Sequence, residues 1–274
     1  MTSSTRRLML QLDDGEGSTS HRAEPRPAAV TAAVHPPALG HRPKALAPVL
    51  LLPGAGGSLD SAPLVALAEV AAAAGALVVR ANLPHHERGG RAPRASTSVP
   101  AVAAILQATR NALGNDPALE DDPAFGIDPT VPWVLGGRSY GARVASLAIA
   151  DGLPVAGLVC SGYPLHPPGR PDKLRVAHWP QVAVPVLLIQ GDADPMADLV
   201  LLEQHRHKLP RRSTLLVVPG GDHALRVTRA RSPDGTARSP ALALQQVADQ
   251  VAAWLAGLGV DPDGIDTDGQ RTDA

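Results

Sequence analysis

The sequence predicts an α/β fold with a doubly wound, mostly parallel sheet and helices on both faces. Short apolar runs alternate with longer helical windows from residue 46 onward, and 44% of all residues are hydrophobic. Strands that alternate with helices form right-handed crossovers, which build a parallel sheet covered on both faces. The predicted strands are residues 49–52, 76–81, 131–135, 155–160, 186–190 and 214–218. The predicted helices are residues 62–74, 99–115, 142–150, 197–209 and 241–258.

The chain divides into three parts by composition. Residues 1–45 are irregular, with apolar runs at residues 8–12 and 28–34 that we interpret as possible edge strands. Residues 46–258 carry the alternating pattern and form the predicted domain. Residues 259–274 are rich in Asp, Gly and Thr, and they hold too few apolar side chains to pack, so we expect a disordered tail.

Composition argues against several classes of partner. The formal net charge of -1 provides no attraction to nucleic acids or to anionic membranes. Aromatic residues make up only 2% of the chain, so platforms for base stacking are not expected. No apolar stretch approaches the length of a membrane helix, and no signal-peptide pattern follows the first two arginines. We therefore expect a soluble cytoplasmic protein with a small-molecule substrate.

The most informative motif places a serine between a strand and a helix. The segment Gly-Arg-Ser-Tyr-Gly at residues 137–141 follows the apolar run 131–135 and precedes the helical window 142–150. In such a turn the glycines are needed where helix and strand nearly collide. The pattern predicts that Ser139 presents an exposed hydroxyl above the N-terminus of a helix.

Three further loops at predicted strand ends carry residues that could act with this serine. They are Pro-Gly-Ala-Gly-Gly-Ser at residues 53–58, Gly-Asp-Ala-Asp-Pro at residues 191–195 and Pro-Gly-Gly-Asp-His at residues 219–223. The carboxyl ends of parallel strands meet at one edge of the sheet, so we expect these loops to converge on the serine turn.

The two later loops supply a base and an acid. A serine hydroxyl becomes nucleophilic when a neutral imidazole removes its proton, and we assign that role to His223. The base needs a carboxylate that orients it, and we assign Asp194, which stands at the end of a strand. Asp192 is the rival acid, although we expect it to brace the turn. Asp222 is less suited, because neighbouring side chains in an extended loop diverge from each other.

Acyl transfer also needs hydrogen-bond donors for the oxyanion that develops on the substrate. We assign this oxyanion hole to the backbone N–H of Tyr140, at the start of the helix, and to that of Ala55 or Gly56. Glycines in the first loop allow its backbone to approach the substrate closely.

The same glycine loop leaves a second interpretation open. A strand followed by Gly-Ala-Gly at residues 54–56 also opens a dinucleotide-binding unit, in which Arg80 would recognise a ribose phosphate. Leu59 replaces the third glycine of that fingerprint, and no Tyr-x-x-x-Lys pair accompanies Tyr140. We rank a nucleotide-binding oxidoreductase below a hydrolase and predict no cofactor.

The remaining histidines and arginines give weaker signals. Neither His85-His86 nor the histidines of residues 205–207 have a spacing that suits one metal ion, so we predict no metal site and expect these side chains to be solvated. The segment Arg-Gly-Gly-Arg-Ala-Pro-Arg at residues 88–94 is interpreted as a solvated loop. A rim that attracts an anionic substrate is the alternative.

Together these motifs resemble the α/β-hydrolase superfamily, in particular its dienelactone-hydrolase-like branch. That branch includes bacterial hydrolases related to the hydrolase-like domain of a subunit of the animal NSL histone-acetyltransferase complex. The resemblance spans about residues 46–256, and its most specific motif is Gly-Tyr-Pro-Leu-His-Pro-Pro-Gly at residues 162–169. It implies an α/β-hydrolase fold with a minimal cap and a triad of Ser139, Asp194 and His223.

The resemblance also implies what surrounds the triad. Pro53 stands where many lipases and esterases carry a histidine, so we expect no histidine to brace the glycine loop. The segment 163–179 is short and proline-rich where many relatives insert a helical cap, and we expect Tyr163 and His166 to shape the substrate pocket.

Two functions therefore stand. We predict a serine hydrolase that cleaves an ester or thioester through an acyl-enzyme. The alternative is a non-catalytic hydrolase-fold protein that serves as an interaction or ligand-binding scaffold, since a fold alone does not guarantee activity.

Overall fold

A computed structural model describes the central sheet, its helices and the loops between them. The described residues are 5–12, 29–38, 46–114, 131–227 and 240–258. The predicted tail at residues 259–274 lies outside the described residues. The strands are β1 (Arg6–Gln11), β2 (Ala29–His35), β3 (Val49–Leu52), β4 (Val78–Ala81), β5 (Val134–Arg138), β6 (Gly157–Ser161), β7 (Val186–Gly191) and β8 (Ser213–Val218). The helices are α1 (Ala62–Ala73), α2 (Pro84–Glu87), α3 (Ala95–Gly114), α4 (Tyr140–Ala150), α5 (Leu199–Arg206) and α6 (Pro240–Gly257), with a 3₁₀ turn at Trp179–Gln181.

The eight strands form one twisted sheet in the order β1-β2-β4-β3-β5-β6-β7-β8. Strands β3 to β8 run parallel to one another, whereas β2 is antiparallel both to β1 at the edge and to β4. The predicted α/β-hydrolase fold with a mostly parallel sheet is therefore confirmed. Both N-terminal runs interpreted as possible edge strands lie within a residue or two of β1 and β2, and Leu10 and Val30 are fully buried there.

Strand β5 begins and ends three residues later than the sequence predicts. Gly136, Gly137 and Arg138, which follow the predicted strand, pair with β6. A Cβ at Gly136 would collide with the carbonyl oxygen of Val159, so glycine is required here by the close approach of a neighbouring strand. Strand β4 also begins late, because Gly75 and Ala76 hydrogen-bond back into α1 and close its C-terminus.

The helices cover both faces of the sheet and enclose two apolar layers. Helices α3 and α4 pack on one face, where Trp133, Trp179 and Tyr163 are the largest fully buried side chains. Helices α1 and α6 pack on the other face, largely through alanine, valine and leucine. Helix α2 and an earlier start of α3 are not predicted from the sequence. Among the described helices, none combines the length and apolar character that spanning a bilayer requires.

Packing of α3 against the sheet provides a test of the fold. Ile105 is fully buried in the layer between α3 and the strands. We expect Ile105→Ala to lower the free energy of unfolding by about 2–5 kcal/mol, because a buried side chain is replaced by a cavity. The exposed Val200 on α5 is the control, and Val200→Ala should change stability by less than about 0.5 kcal/mol. Equal effects of the two variants in denaturant unfolding would contradict this packing.

Candidate active site

Ser139 lies at the abrupt junction between β5 and α4. Its backbone has φ 51° and ψ -112°, a conformation that is unfavourable for a residue with a Cβ. Its N–H donates to the carbonyl oxygen of Ser161 at the end of β6, over 2.9 Å, which holds the strained turn in place. The sequence predicts an exposed hydroxyl at Ser139. In the structure only 8% of the residue is exposed, and it lines a cavity.

Two glycines make this junction sterically possible. A Cβ at Gly137 or at Gly141 would collide with the carbonyl oxygen of Leu52, the last residue of β3. Gly137 also has φ 155°, which side-chain-bearing residues rarely adopt. The glycines of the serine turn are therefore required by the approach of β5 and α4 to the end of β3.

Ser139, His223 and Asp194 form a continuous chain of hydrogen bonds. The distance from Ser139 Oγ to His223 Nε2 is 2.8 Å, and His223 Nδ1 lies 2.7 Å from Asp194 Oδ2. A carboxylate only accepts hydrogen bonds, so Nδ1 carries the proton and the lone pair of Nε2 faces the serine. The structure thus brings together the three side chains that the sequence singles out.

The Asp194 carboxylate is completely buried and held from two further directions. Gln190 Nε2 donates to Oδ2 over 2.6 Å, and the backbone N–H of Met196 donates to Oδ1 over 2.8 Å. A buried carboxylate needs such donors to offset its loss of hydration. Gln190, on β7 and fully buried, is a contributor to the site that the sequence motifs do not reveal.

The two other aspartates near His223 have structural partners. Asp192 Oδ1 accepts from the backbone N–H of Gly220 over 2.6 Å and braces the turn, as expected. Asp222 Oδ1 accepts from the backbone N–H groups of Ala224 and Arg226 at 2.8 and 3.0 Å. Neither carboxylate has a hydrogen bond to His223 within the described residues.

The backbone of His223 is positioned by contacts that sequence reasoning missed. Arg138, the residue before the serine, donates from Nη2 to the carbonyl oxygen of His223 over 3.3 Å. Gly162 has φ 58°, and a Cβ there would lie 2.7 Å from the same carbonyl oxygen. The serine turn and the segment after β6 therefore both contact the histidine loop, residues 219–223, and hold it in position.

The glycine loop after β3 lies beside the serine. Gly57 N–H donates to the carbonyl oxygen of Gly54 and closes a tight turn. No hydrogen bond engages the N–H groups of Ala55 or Gly56 in the part of the chain that the structure describes. Both residues line the same cavity as Ser139 and Tyr140. The residues assigned to the oxyanion hole are therefore neighbours.

A histidine braces this loop, contrary to the expectation drawn from Pro53. His86 Nδ1 accepts from the N–H of Leu83 over 3.1 Å, so its Nε2 carries the proton and donates to the carbonyl oxygen of Gly54 over 3.0 Å. Burial lowers the pKa of His86, which favours the neutral ring. His86 lies on α2, a short helix that the sequence pattern does not predict.

His85 is also buried, so the expectation that this pair is solvated is wrong. It is only 2% exposed, and its ring lies 3.8 Å from that of His86 and 5.5 Å, edge-on, from that of Tyr140. Burial, with a smaller contribution from His86, lowers the pKa of His85 to about 4. Two neutral imidazoles therefore form the packing beneath the glycine loop.

The cavity beside Ser139 has a volume of about 850 Å³ and is bordered by the glycine loop, the segment before α3 and the start of α4. Its size falls in the range of small-molecule sites. Every charged residue in the described lining of this cavity is an arginine, namely Arg91, Arg94, Arg143 and Arg175. The basic segment at residues 88–94 thus contributes to the wall of the cavity.

Tyr163 and His166 do not line this cavity, which corrects the expectation that they contact substrate. The Tyr163 hydroxyl points into the core and donates to the carbonyl oxygen of Arg175 over 2.8 Å. His166 Nδ1 is 2.9 Å from the carbonyl oxygen of Pro167, and its Nε2 accepts from the N–H of Asp198. Through these contacts Tyr163 supports the cavity wall at Arg175, and His166 supports the acid loop, residues 191–198, which carries Asp194.

Arg80, the residue that would recognise a ribose phosphate in the dinucleotide-binding interpretation, has partners within the protein. Arg80 is buried, and it donates to His35 Nε2 over 2.7 Å and to the carbonyl oxygen of Leu59. Its guanidinium is therefore engaged within the protein. Among the described residues, no group of three or more His, Cys, Asp or Glu side chains could hold a metal ion.

A second cavity, of about 470 Å³, is lined mainly by apolar side chains of α1, β7, β8 and the segment after His223. It contains none of the three hydrogen-bonded side chains, so the cavity beside Ser139 is the candidate active site.

Comparison with known proteins places this geometry in a family. Residues 45–256 match the family described as "Alpha/beta hydrolase domain". A dienelactone hydrolase from Anabaena variabilis is similar in structure, with 19% identity, a TM-score of 0.58, and coverage of 93% of this chain and 98% of that chain. An α/β serine hydrolase without a lid from Xanthomonas campestris has 20% identity, a TM-score of 0.57, and coverage of 93% and 95%. A cold-adapted esterase from an Arctic intertidal metagenomic library has 18% identity, a TM-score of 0.56, and coverage of 91% and 93%. At these identities the likeness establishes the fold, and the family match covers most of the sequence, so the chain belongs to the alpha/beta hydrolase domain family.

Proposed function

We propose that this protein is a serine hydrolase that cleaves an ester or thioester of a small molecule. The observation that carries the proposal is the unbroken hydrogen-bond chain from Ser139 through His223 to Asp194 at the wall of a cavity. Each group has the form its role requires, since the carboxylate fixes the Nδ1–H tautomer and leaves Nε2 free to accept the serine proton.

The proposed reaction proceeds through an acyl-enzyme. Ser139 Oγ attacks the carbonyl carbon while its proton passes to His223 Nε2, and the carbonyl oxygen becomes an oxyanion. The N–H groups of Tyr140 and of Ala55 or Gly56 then donate to this oxyanion. His223 returns the proton to the leaving oxygen or sulfur, and the acyl group stays on the serine. Water, activated by the same imidazole, releases the acid in a second step.

The nature of the similar proteins supports the ester-cleaving part of this proposal. One is a dienelactone hydrolase, and another is an esterase. The narrower relation to the hydrolase-like domain of the NSL complex subunit rests on the Gly-Tyr-Pro-Leu-His-Pro-Pro-Gly segment at residues 162–169. We include it in the proposal as an expectation, together with a cytoplasmic site of action.

The nucleophile can be tested against a second Ser–His pair. We expect Ser139→Ala to lower the hydrolysis of p-nitrophenyl butyrate by roughly 10⁶-fold or to the assay background, because the nucleophile is lost. Ser146 is the control. Its Oγ lies 2.8 Å from His178 Nε2, but it donates its proton to the carbonyl oxygen of Arg143. Burial and then the Arg143 charge lower the pKa of His178 to about 4, so that histidine is a poor base at neutral pH.

Ser146→Ala should accordingly keep most of the activity of the unmodified protein. Circular dichroism spectra of both variants check that each is folded. Activity that survives in Ser139→Ala, or an equal loss in both folded variants, would contradict Ser139 as the nucleophile. An unmodified protein that hydrolyses no ester would favour the non-catalytic interpretation of the fold.

The two aspartates of the acid loop form a matched pair for a second test. We expect Asp194→Asn to lower kcat by about 10⁴-fold, because an amide no longer fixes the productive tautomer of His223. Asp192→Asn should stay within about tenfold of the unmodified protein, since an amide oxygen still accepts from Gly220 N–H. Steady-state ester hydrolysis distinguishes the two, and the reverse order of effects would show that the acid is misassigned.

The histidine brace yields a third test. We expect His86→Ala to lower kcat by roughly 10- to 100-fold with a smaller change in KM, because the loop that carries Ala55 and Gly56 loses its hold on Gly54. His86→Gln should restore part of the loss, since its amide N–H can donate to the same carbonyl oxygen. The exposed His207 provides the control variant His207→Ala. A brace without influence on the oxyanion hole would leave kcat unchanged in all three variants.

A further inference from the structure

We propose that the cavity beside Ser139 contains a subsite for an anionic group of the substrate, a carboxylate or a phosphate, held by Arg143 and Arg175. This inference rests on the proposed function, and it adds the chemical class of the substrate to it. The ester or thioester would thus be one end of a molecule whose other end carries a negative charge.

The first observation is the convergence of positive charge on this cavity. Arg91 and Arg94 come from the segment between α2 and α3, Arg143 lies in the first turn of α4, and Arg175 lies between β6 and β7. No Asp or Glu side chain contributes to the lining over the described ranges. Three separate parts of the chain therefore direct arginines to the space beside the serine.

The second observation is that these four charges have no salt bridge to any residue in the described ranges. The salt bridges among the described residues engage other arginines, such as Arg80, Arg206 and Arg226, and none of the four that line the cavity. Arg110 and Arg138, which lie outside the cavity lining, are also half-buried and have no salt bridge to a described residue. The cavity differs in that four arginines line one space, and no carboxylate faces them in the described lining.

The third observation is that Arg143 and Arg175 line the same cavity and interact electrostatically. Burial lowers the pKa of the Arg175 guanidinium, and the positive charge of Arg143 lowers it further. Two like charges that are partly withdrawn from water repel each other, and an anion beside them would offset this repulsion.

The backbone on both sides of this pair is well held. Arg143 lies one helical turn after Tyr140, and its N–H donates to the carbonyl oxygen of Ser139 over 3.0 Å. Arg175 N–H donates to the carbonyl oxygen of Leu165, and the Arg175 carbonyl oxygen accepts from the Tyr163 hydroxyl. The pair is therefore built on rigid elements next to the nucleophile, which suits recognition of one group at a fixed distance from it.

The outer arginines have a different role in this proposal. Arg91 and Arg94 are exposed, whereas Arg143 and Arg175 are half-buried. Exposed charges at the mouth of a cleft attract a ligand of opposite charge but contribute less to its bound state. We assign Arg91 and Arg94 to attraction of the anion and Arg143 and Arg175 to its binding.

A planar guanidinium matches both carboxylate and phosphate oxygens, so the two chemistries need separate arms in the test. The protein used is Ser139→Ala, which removes the nucleophile and leaves the arginines in place. Isothermal titration calorimetry with monomethyl glutarate probes a carboxylate, methyl phosphate probes a phosphate, and dimethyl glutarate is the neutral control. We expect at least one anion to bind roughly tenfold or more tightly than the neutral diester.

Variants then locate the subsite. Arg143→Gln and Arg175→Gln, each in the Ser139→Ala background, should weaken binding of the preferred anion by roughly 10- to 100-fold. The exposed double variant Arg91→Gln/Arg94→Gln, which leaves the packed elements intact, should weaken it by about two- to fivefold. Arg170→Gln is the matched control, because Arg170 is exposed, pairs with Asp172 and does not line the cavity. Its binding should equal that of the parent.

The outcomes separate this inference from the proposed function. Equal binding of anion and neutral diester, or an equal loss in Arg170→Gln and Arg143→Gln, overturns the anionic subsite. The second readout is kcat/KM of the unmodified protein for mono-p-nitrophenyl glutarate relative to a neutral p-nitrophenyl ester of similar length. Hydrolysis of both esters without preference contradicts the subsite but keeps the hydrolase. Anion binding that depends on Arg143, with no hydrolysis of either ester, keeps the subsite and contradicts the hydrolase.

Discussion

The site depends on the close contact between the carbonyl oxygen of Leu52 and the backbone of the serine turn. Gly137 and Gly141 both lie where any Cβ would strike this oxygen, and β3 pairs with β5 at this level. The contact fixes two distances at once, because the glycine loop begins directly after Leu52. It sets the position of Ser139 at the start of α4, and it sets the distance from that serine to Ala55 and Gly56.

A second close approach fixes the base and the acid. A Cβ at Gly191 would collide with the carbonyl oxygen of Gly221, so the ends of β7 and β8 lie almost in contact. The acid loop and the histidine loop leave these ends together, which allows Asp194 to reach His223. Buried polar side chains then remove the remaining freedom, with Gln190 on the carboxylate and Arg138 on the histidine carbonyl. Glycines thus bring the strands together, and buried polar groups orient the reacting side chains.

The order of motifs along the chain was enough to predict the fold and to choose Ser139, Asp194 and His223. A parallel sheet brings the carboxyl ends of its strands to one edge. Residues that directly follow these strands can therefore be expected to lie near one another, even when their side-chain contacts are not known. Local geometry also favours Asp194 over Asp192, because Asp192 directly follows the strand and its carboxylate is expected to brace the turn. The sequence predicts the end of β5 three residues too early. Glycine is needed at Gly136 because a neighbouring strand approaches it, and local sequence does not show this contact.

Contacts between distant segments could not be predicted in this way. His86 braces the glycine loop from a short helix with no sequence signature, and Arg143 and Arg175 line the same cavity from separate elements. The resemblance implies a pocket shaped by Tyr163 and His166, because their segment replaces a cap, but a sequence motif does not state which way a side chain points. Both point towards the protein interior, where they support the loops that carry the site.

The proposed function requires that the junction at Ser139 creates a single activated hydroxyl. Its most direct test is reaction of the folded protein with a fluorophosphonate probe, followed by peptide mass spectrometry to locate the adduct. Activation by His223 and Asp194 predicts a phosphonyl group on Ser139 alone, formed rapidly and lost in His223→Ala. The absence of an adduct, or modification spread over other serines at similar rates, would contradict the account.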